Sequence, residues 1–140
     1  MKLSRSTSSP CLIALIALLA CLALAGCRPP SKIVGLWEGH RVEPNALRSE
    51  IYRFRSDGTY QRTLSAGFNS SVYYGNYDYD EKTGQLTMHE KKGNVQGVEM
   101  PLGDDRNIKY QLTWANDNEF TYSNAGGISM TLKRNTSVSN

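Results

Sequence analysis

The chain has 140 residues, a one-domain length, with 16 Lys and Arg against 13 Asp and Glu and a formal net charge of +3. Its three cysteines, Cys11, Cys21 and Cys27, all precede its thirteen aromatics (two Trp, eight Tyr, three Phe), so two materials join at Cys27. Removing Lys2 and Arg5 leaves fourteen basic residues against thirteen acidic ones, a net of +1 after Cys27; this excludes the basic excess of a nucleic-acid binder, and the lack of later cysteines excludes a disulfide scaffold.

Residues 1–10 carry Lys2 and Arg5 with no acid, and residues 11–26 are uninterrupted apolar and small side chains. A membrane-spanning helix needs about 20 apolar residues. A run of 16 followed by Arg28, Pro29 and Pro30 therefore predicts a cleaved secretory signal peptide over residues 1–26. It ends in Leu24-Ala25-Gly26-Cys27, which resembles the lipobox of bacterial lipoproteins. The resemblance implies cleavage before Cys27, lipid attachment to its thiol and acylation of the new amino terminus, for example by palmitate. Two or three acyl chains anchor stably where one is marginal, so the protein is expected to be tethered to a membrane without spanning it. The alternatives are an unmodified Cys27 past an ordinary cleavage site, or an uncleaved short anchor. Residues 27–32 read as the lipidated cysteine and a short stiff tether, since consecutive prolines favour an extended chain. In lipoproteins of double-membrane bacteria, Asp after the cysteine favours the inner membrane; Arg28 in that place implies the outer membrane, facing the periplasm.

From Ile33 onward there is no helical period, and turn residues recur about every 8 to 12 positions, the spacing of an all-β barrel or sandwich. After Pro44, one short helical turn is expected over Asn45–Ser49. Tyr52-Arg53-Phe54-Arg55 leads through Ser56-Asp57-Gly58 into Thr59–Leu64, a strong hairpin signal. The loop Ser65–Ser70 presents Phe68 among small residues and is the candidate contact loop or lid. Tyr77-Asp78-Tyr79-Asp80 turns through Glu81–Gly84 into Gln85–Met88. Val95–Met100 is the weakest strand, broken by Gly97 and ended by Pro101. Ile108, Tyr110, Leu112 and Trp114 alternate with polar residues, and Phe120 and Tyr122 repeat the pattern after Asn116-Asp117-Asn118. After Gly126-Gly127 the inward set is Ile128, Met130, Leu132 and Arg134. About eight strands over residues 33–135 are enough to close one small antiparallel up-and-down barrel, which removes exposed sheet edges. A disordered tail is expected over 136–140. Exteriors such as Lys109, Gln111 and Thr113 are too polar to face lipid.

Gly35-Leu36-Trp37 opening the first strand resembles the Gly-x-Trp motif of the lipocalins and related calycin barrels, and Tyr52–Tyr60 resembles the second hairpin of short bacterial lipocalin-like domains. In those barrels the tryptophan closes one end and a basic residue of the last strand packs across it. The resemblance implies that Trp37 and Arg134 form that barrel-closing pair. The chain departs from the family in its short length and in lacking the disulfide many members carry.

Residues with chemistry are few. His40 and His89 are isolated, and no Cys-x-x-Cys or His-x-x-x-His spacing exists to hold a metal. Asp104-Asp105 and Asp78-x-Asp80 lack the rest of a calcium loop and read as turn acids. With no nucleophile elbow or phosphate loop, neither an enzyme nor a cofactor is expected. The tyrosines at 73, 74, 77 and 79 are the surplus: they fit sheet preference, and one row of them also fits a pocket mouth or a protein-binding face. The expected function is a membrane-anchored, non-catalytic lipocalin-like domain binding a small apolar ligand, lined by Trp37, Tyr52, Phe54, Tyr110, Leu112, Trp114, Phe120 and Met130. The alternative is a protein-interaction or scaffold barrel, such as an assembly factor or an inhibitor of a periplasmic enzyme, with a filled core and its function in the loops.

Overall fold

The computed structural model describes residues 31–43, 46–103 and 106–137. Residues 1–30, with the expected signal peptide and Cys27, the residues Pro44, Asn45, Asp104 and Asp105, and 138–140 lie outside the described residues. Every element among the described residues is a strand: β1 Gly35–Glu43, β2 Ala46–Phe54, β3 Thr59–Ala66, β4 Asn69–Asp80, β5 Gln85–Val95, β6 Val98–Pro101, β7 Asn107–Asn116, β8 Glu119–Ser123 and β9 Ser129–Arg134. All pairings are antiparallel. Neighbours in sequence pair from β1 to β5, β5 continues to β7, then β8 and β9, and β9 returns to β1 through Trp37↔Arg134 and Glu38↔Lys133. The fold is thus a closed eight-stranded up-and-down barrel with β6 as an extra strand outside the ring.

Closure follows from the same alternation that defines each strand. Trp37, Tyr52, Phe54, Tyr60, Leu86, Met88, Tyr110, Leu112, Phe120, Tyr122, Met130 and Leu132 are all buried at every second position, and rolling the sheet is what gives them one shared interior. Burying such a side chain contributes about 1.5–3 kcal/mol. The hairpin at Asp57-Gly58 is set by chemistry local to it: Asp57 Oδ1 accepts from the Thr59 amide at 2.9 Å and the Thr59 hydroxyl at 2.6 Å.

Three expectations are corrected. Ala46–Ser49 is not a helical turn but the start of β2, in register with β1 (Arg48↔Arg41, Ser49↔His40), because lengthening a ladder satisfies more backbone groups than one isolated turn. Val95–Met100 is not one strand: Gln96 and Gly97 both have positive φ (53° and 86°) and form a two-residue turn between β5 and β6, with Val95 opposite Val98. β6 pairs with Lys92–Val95 while β7 takes Gln85–His89, so β5 serves two partners on one edge. Ile128, placed in the inward set, is exposed in the turn before β9, where the alternation has not yet begun.

The barrel has two unlike ends. The chain enters at one of them, alongside the β2–β3, β4–β5 and β7–β8 turns, and closes it. The far end carries the β1–β2, β3–β4, β5–β6 and β8–β9 turns.

Candidate functional site

The closed end is built around Trp37. Its indole Nε1 donates to the Ile33 carbonyl at 2.7 Å, which draws Ile33 fully into the barrel floor. The Arg134 guanidinium lies over the indole, 4.2 Å from the ring centroid, and donates to the carbonyls of Val34 (2.8 Å) and Lys32 (2.7 Å). Cation–π attraction of this kind is worth about 0.5–2 kcal/mol. Gly35 is required beneath it: at φ 146° and against the Arg134 guanidinium, a Cβ would collide.

Above that floor the candidate ligand-lining residues pack on one another. Trp37 meets Phe120 edge-on at 4.7 Å and Trp114 at 5.5 Å, Trp114 meets Phe120 at 4.9 Å, and the Trp114 Nε1–H donates to Tyr79 Oη at 2.7 Å. Tyr52, Phe54, Tyr77, Tyr110 and Tyr122 continue the contacts at 4.5 to 6.1 Å. Leu112 and Met130 are buried with them. These side chains occupy the space an apolar ligand would take. Two hollows, of about 550 and 360 Å³, border this cluster: the larger is lined by Phe54 and Arg134 together with residues such as Leu36, Arg53, Arg55 and Asp57, the smaller by Arg134 with Glu38, His40 and Lys133.

The half of the interior toward the far end is polar, which the sequence reading did not single out. Glu50 and Glu90 are buried there. Glu50 Oε2 accepts from the hydroxyls of Tyr52 (2.8 Å) and Tyr122 (2.7 Å), and its Oε1 lies 3.3 Å from Arg48 Nε. Glu90 is paired with Arg62 through Oε1, and its Oε2 lies 2.9 Å from Arg106 Nε, off the line of a good hydrogen bond. The Tyr73 ring lies between the two arginines, 5.0 Å from Arg62 and 5.3 Å from Arg106. Arg62 is 7% exposed, Arg48 34% and Arg106 48%, so the charges rise from the packed interior to the mouth. Among the described residues, Arg62 Nε and Tyr60 Oη are buried without a hydrogen-bond partner. The available signal was parity: Glu50 precedes Tyr52 and Phe54, Arg62 follows Tyr60, and Glu90 follows Leu86 and Met88, each on the inward row.

Burial shifts these groups. It pushes the Tyr52 hydroxyl well above the ordinary tyrosine range, helped by Tyr110 and Tyr122, and pushes Tyr60 and Tyr122 up as well, with the nearby carboxylates Glu90 and Glu50 adding to it. For Arg62, burial acts to lower the pKa, and Tyr52, Glu90 and Tyr110 outweigh it, so the guanidinium is held above its usual value.

Around the mouth stand exposed apolar side chains. Among the described residues the exposed large hydrophobics are Leu47, Phe68, Tyr74, Val98, Met100 and Ile128, and all but Tyr74 lie at or beside the far-end turns. Phe68, at the tip of the β3–β4 turn, is fully exposed; Gln96 of the β5–β6 turn donates to Asn69 beside it at 3.2 Å, tying two of these turns together. Tyr74 points outward while Tyr77 and Tyr79 pack against the core, so the tyrosine row is divided between two faces.

His40 lies on the outer surface, 3.2 Å from Glu38, and His89 bridges Asp78 (3.0 Å) and Asn107 (2.6 Å) on the wall. Among the described residues no group of three or more His, Cys, Asp and Glu side chains is placed to hold a metal ion. No protein-family model matches the chain, and neither does any curated protein. The functional reading therefore rests on the geometry.

Proposed function

We propose that the protein is an envelope lipoprotein, anchored through acyl chains on Cys27 in the outer membrane, whose barrel is a non-catalytic protein-interaction module with its docking face at the far end. The observation that carries this reading is the crown of Leu47, Phe68, Val98, Met100 and Ile128 around the mouth of a barrel whose lower interior is filled. Exposed apolar side chains grouped on one face, with polar walls elsewhere, are the usual mark of an interface. The described residues begin at Ser31, whose hydroxyl donates to Glu81 of the β4–β5 turn at the closed end, opposite the crown. The small-ligand reading is the weaker one, since it requires the Trp37, Trp114 and Phe120 cluster to open.

Photo-crosslinking in cells tests the docking face. A photoreactive residue at Phe68 or Val98 is expected to trap one envelope protein, and the same residue at the closed-end position Lys82 is not. Equal crosslinking at both ends, or stoichiometric uptake of an apolar dye with energy transfer from the tryptophans, would sink the reading. Mass spectrometry of the native protein is expected to find a chain beginning at acylated Cys27; one beginning at unmodified Ser31 contradicts the anchor.

A further inference from the structure

The larger hollow, of about 550 Å³, lies on the flank of the closed end, away from the crown. Its volume is in the range of small-molecule sites. Arg53, on the outer row at the end of β2, and Arg55, just beyond it, are both exposed, and Leu36 stands directly across the β1–β2 ladder from Arg53. Val34 and Leu36 are half-buried and give the groove an apolar strip. Arg134 contributes a third guanidinium, held by the carbonyls of Val34 and Lys32, neutral acceptors that leave its charge uncompensated. Among the described residues no hydrogen bond or ion pair holds the guanidinium of Arg53 or of Arg55. The one acid in the lining, Asp57, feels the charge of Arg55 but directs its Oδ1 to the Thr59 amide and hydroxyl. Three guanidiniums against one carboxylate leave the groove with two net positive charges.

We propose that this groove binds a phosphate monoester carrying a short apolar group, the phosphate seating among Arg53, Arg55 and Arg134 and the apolar group lying along Val34 and Leu36. A phosphate monoester carries about 1.5 to 2 negative charges near pH 7, which matches the groove, whereas a carboxylate carries a single one and leaves a positive charge unmatched. Planar guanidiniums also meet phosphate oxygens in pairs, a geometry that a neutral head cannot use. The groove is separate from the crown, so it stands or falls independently of the docking reading. The same head occurs on a free amphiphile and on a membrane lipid such as phosphatidic acid, and the experiment separates these two sources.

The native protein, purified from cells and held in phosphatidylcholine discs, is titrated calorimetrically with hexyl phosphate, hexyl sulfate, hexanol and inorganic phosphate. Hexyl phosphate is expected to bind about tenfold more tightly than inorganic phosphate, which lacks the apolar group, and about fivefold more tightly than the singly charged hexyl sulfate. Hexanol should show no binding. Arg53→Gln and Arg55→Gln, both at exposed positions, should each weaken hexyl phosphate about tenfold. Lys82→Gln, at the same end of the barrel but outside the groove lining, should leave it unchanged. No uptake of hexyl phosphate, equal uptake of hexanol, or unchanged affinity in both arginine variants overturns the inference. Inorganic phosphate or hexyl sulfate binding as tightly as hexyl phosphate overturns the assignment to an apolar phosphate monoester. If phosphatidic acid placed in the same discs blocks hexyl phosphate, the head belongs to a membrane lipid; if it does not, the ligand is a free amphiphile, and both results support the site. Crosslinking at Phe68 should be the same in Arg53→Gln as in the native chain, which keeps the groove and the docking face apart.

Discussion

At the scale of single residues, the Arg62–Glu90 pair shows how a barrel interior can hold charge. Glu90 is fully buried and serves two guanidiniums, of which Arg62 is enclosed and Arg106 reaches water. Removing the carboxylate is therefore unequal in its effects: Arg106 turns to solvent, and Arg62 is left as a buried cation with no counter-charge. Glu90→Gln is expected to lower unfolding stability by about 3 kcal/mol in urea titration, the usual loss when one partner of a buried pair is removed. The double variant Arg62→Met/Glu90→Met should lose markedly less than the single one, since two apolar side chains need no partner. A double variant as unstable as Glu90→Gln would show that the pair is not the source of the loss. Such pairs are hard to read from sequence because charge normally marks the outer row of a strand. Arg134 was legible as an inward residue because the motif at Gly35-Leu36-Trp37 and the parity of Ile128–Arg134 pointed the same way. Glu50, Arg62 and Glu90 had parity alone, and charge spoke against it.

At the scale of elements, β7, β8 and β9 were legible nearly to the residue because strict alternation such as Ile108, Tyr110, Leu112 and Trp114 has only one structural explanation. The β5–β6 hairpin was not. Its first turn residue is Gln96, which seldom takes positive φ, so Gly97 looked like a break in one strand instead of half of a two-residue turn. Ala46–Ser49 was obscured by the neighbouring Pro44, which suggested a turn, while the ladder with β1 that makes it a strand is a tertiary matter. The turn itself can be tested with paired glycines. A Cβ at Gly97 or at Gly103 meets nothing within 4 Å, but only Gly97 has positive φ. Gly97→Ala is thus expected to cost about 1 kcal/mol through backbone strain alone, against a few tenths for Gly103→Ala. Gln96→Asn should gain a few tenths by supplying the preferred Asn-Gly pair. Equal urea midpoints for both alanine variants would mean that the turn relaxes without left-handed backbone.

At the scale of the whole molecule, the barrel is graded along its axis: a floor tied by Trp37 and Arg134, a packed aromatic layer, a layer of tyrosines and charges, and an apolar crown. Tyr52 and Tyr122 are the hinge of this gradient, since each offers a ring to the layer below and a hydroxyl to the Glu50 carboxylate above. Tyr52 and Tyr122 share Glu50, and that arrangement holds only while their hydroxyls keep their protons. Because Tyr52, Tyr60 and Tyr122 ionise at higher pH in the folded protein than in the unfolded chain, the folded state retains more protons above pH ~10. Stability should therefore be insensitive to these groups below pH ~10 and fall above it, by up to ~1.4 kcal/mol per pH unit for each tyrosine. Urea unfolding at a series of alkaline pH values, followed together with the ultraviolet absorbance of tyrosinate, measures both quantities. The expected result is that Tyr52, Tyr60 and Tyr122 ionise only as the barrel opens, in one cooperative step that coincides with the loss of sheet signal. If all the tyrosines titrate independently near pH 10 with the strands intact, the hydroxyls are not enclosed, and the layered interior is wrong at the level that distinguishes a packed barrel from an open cup.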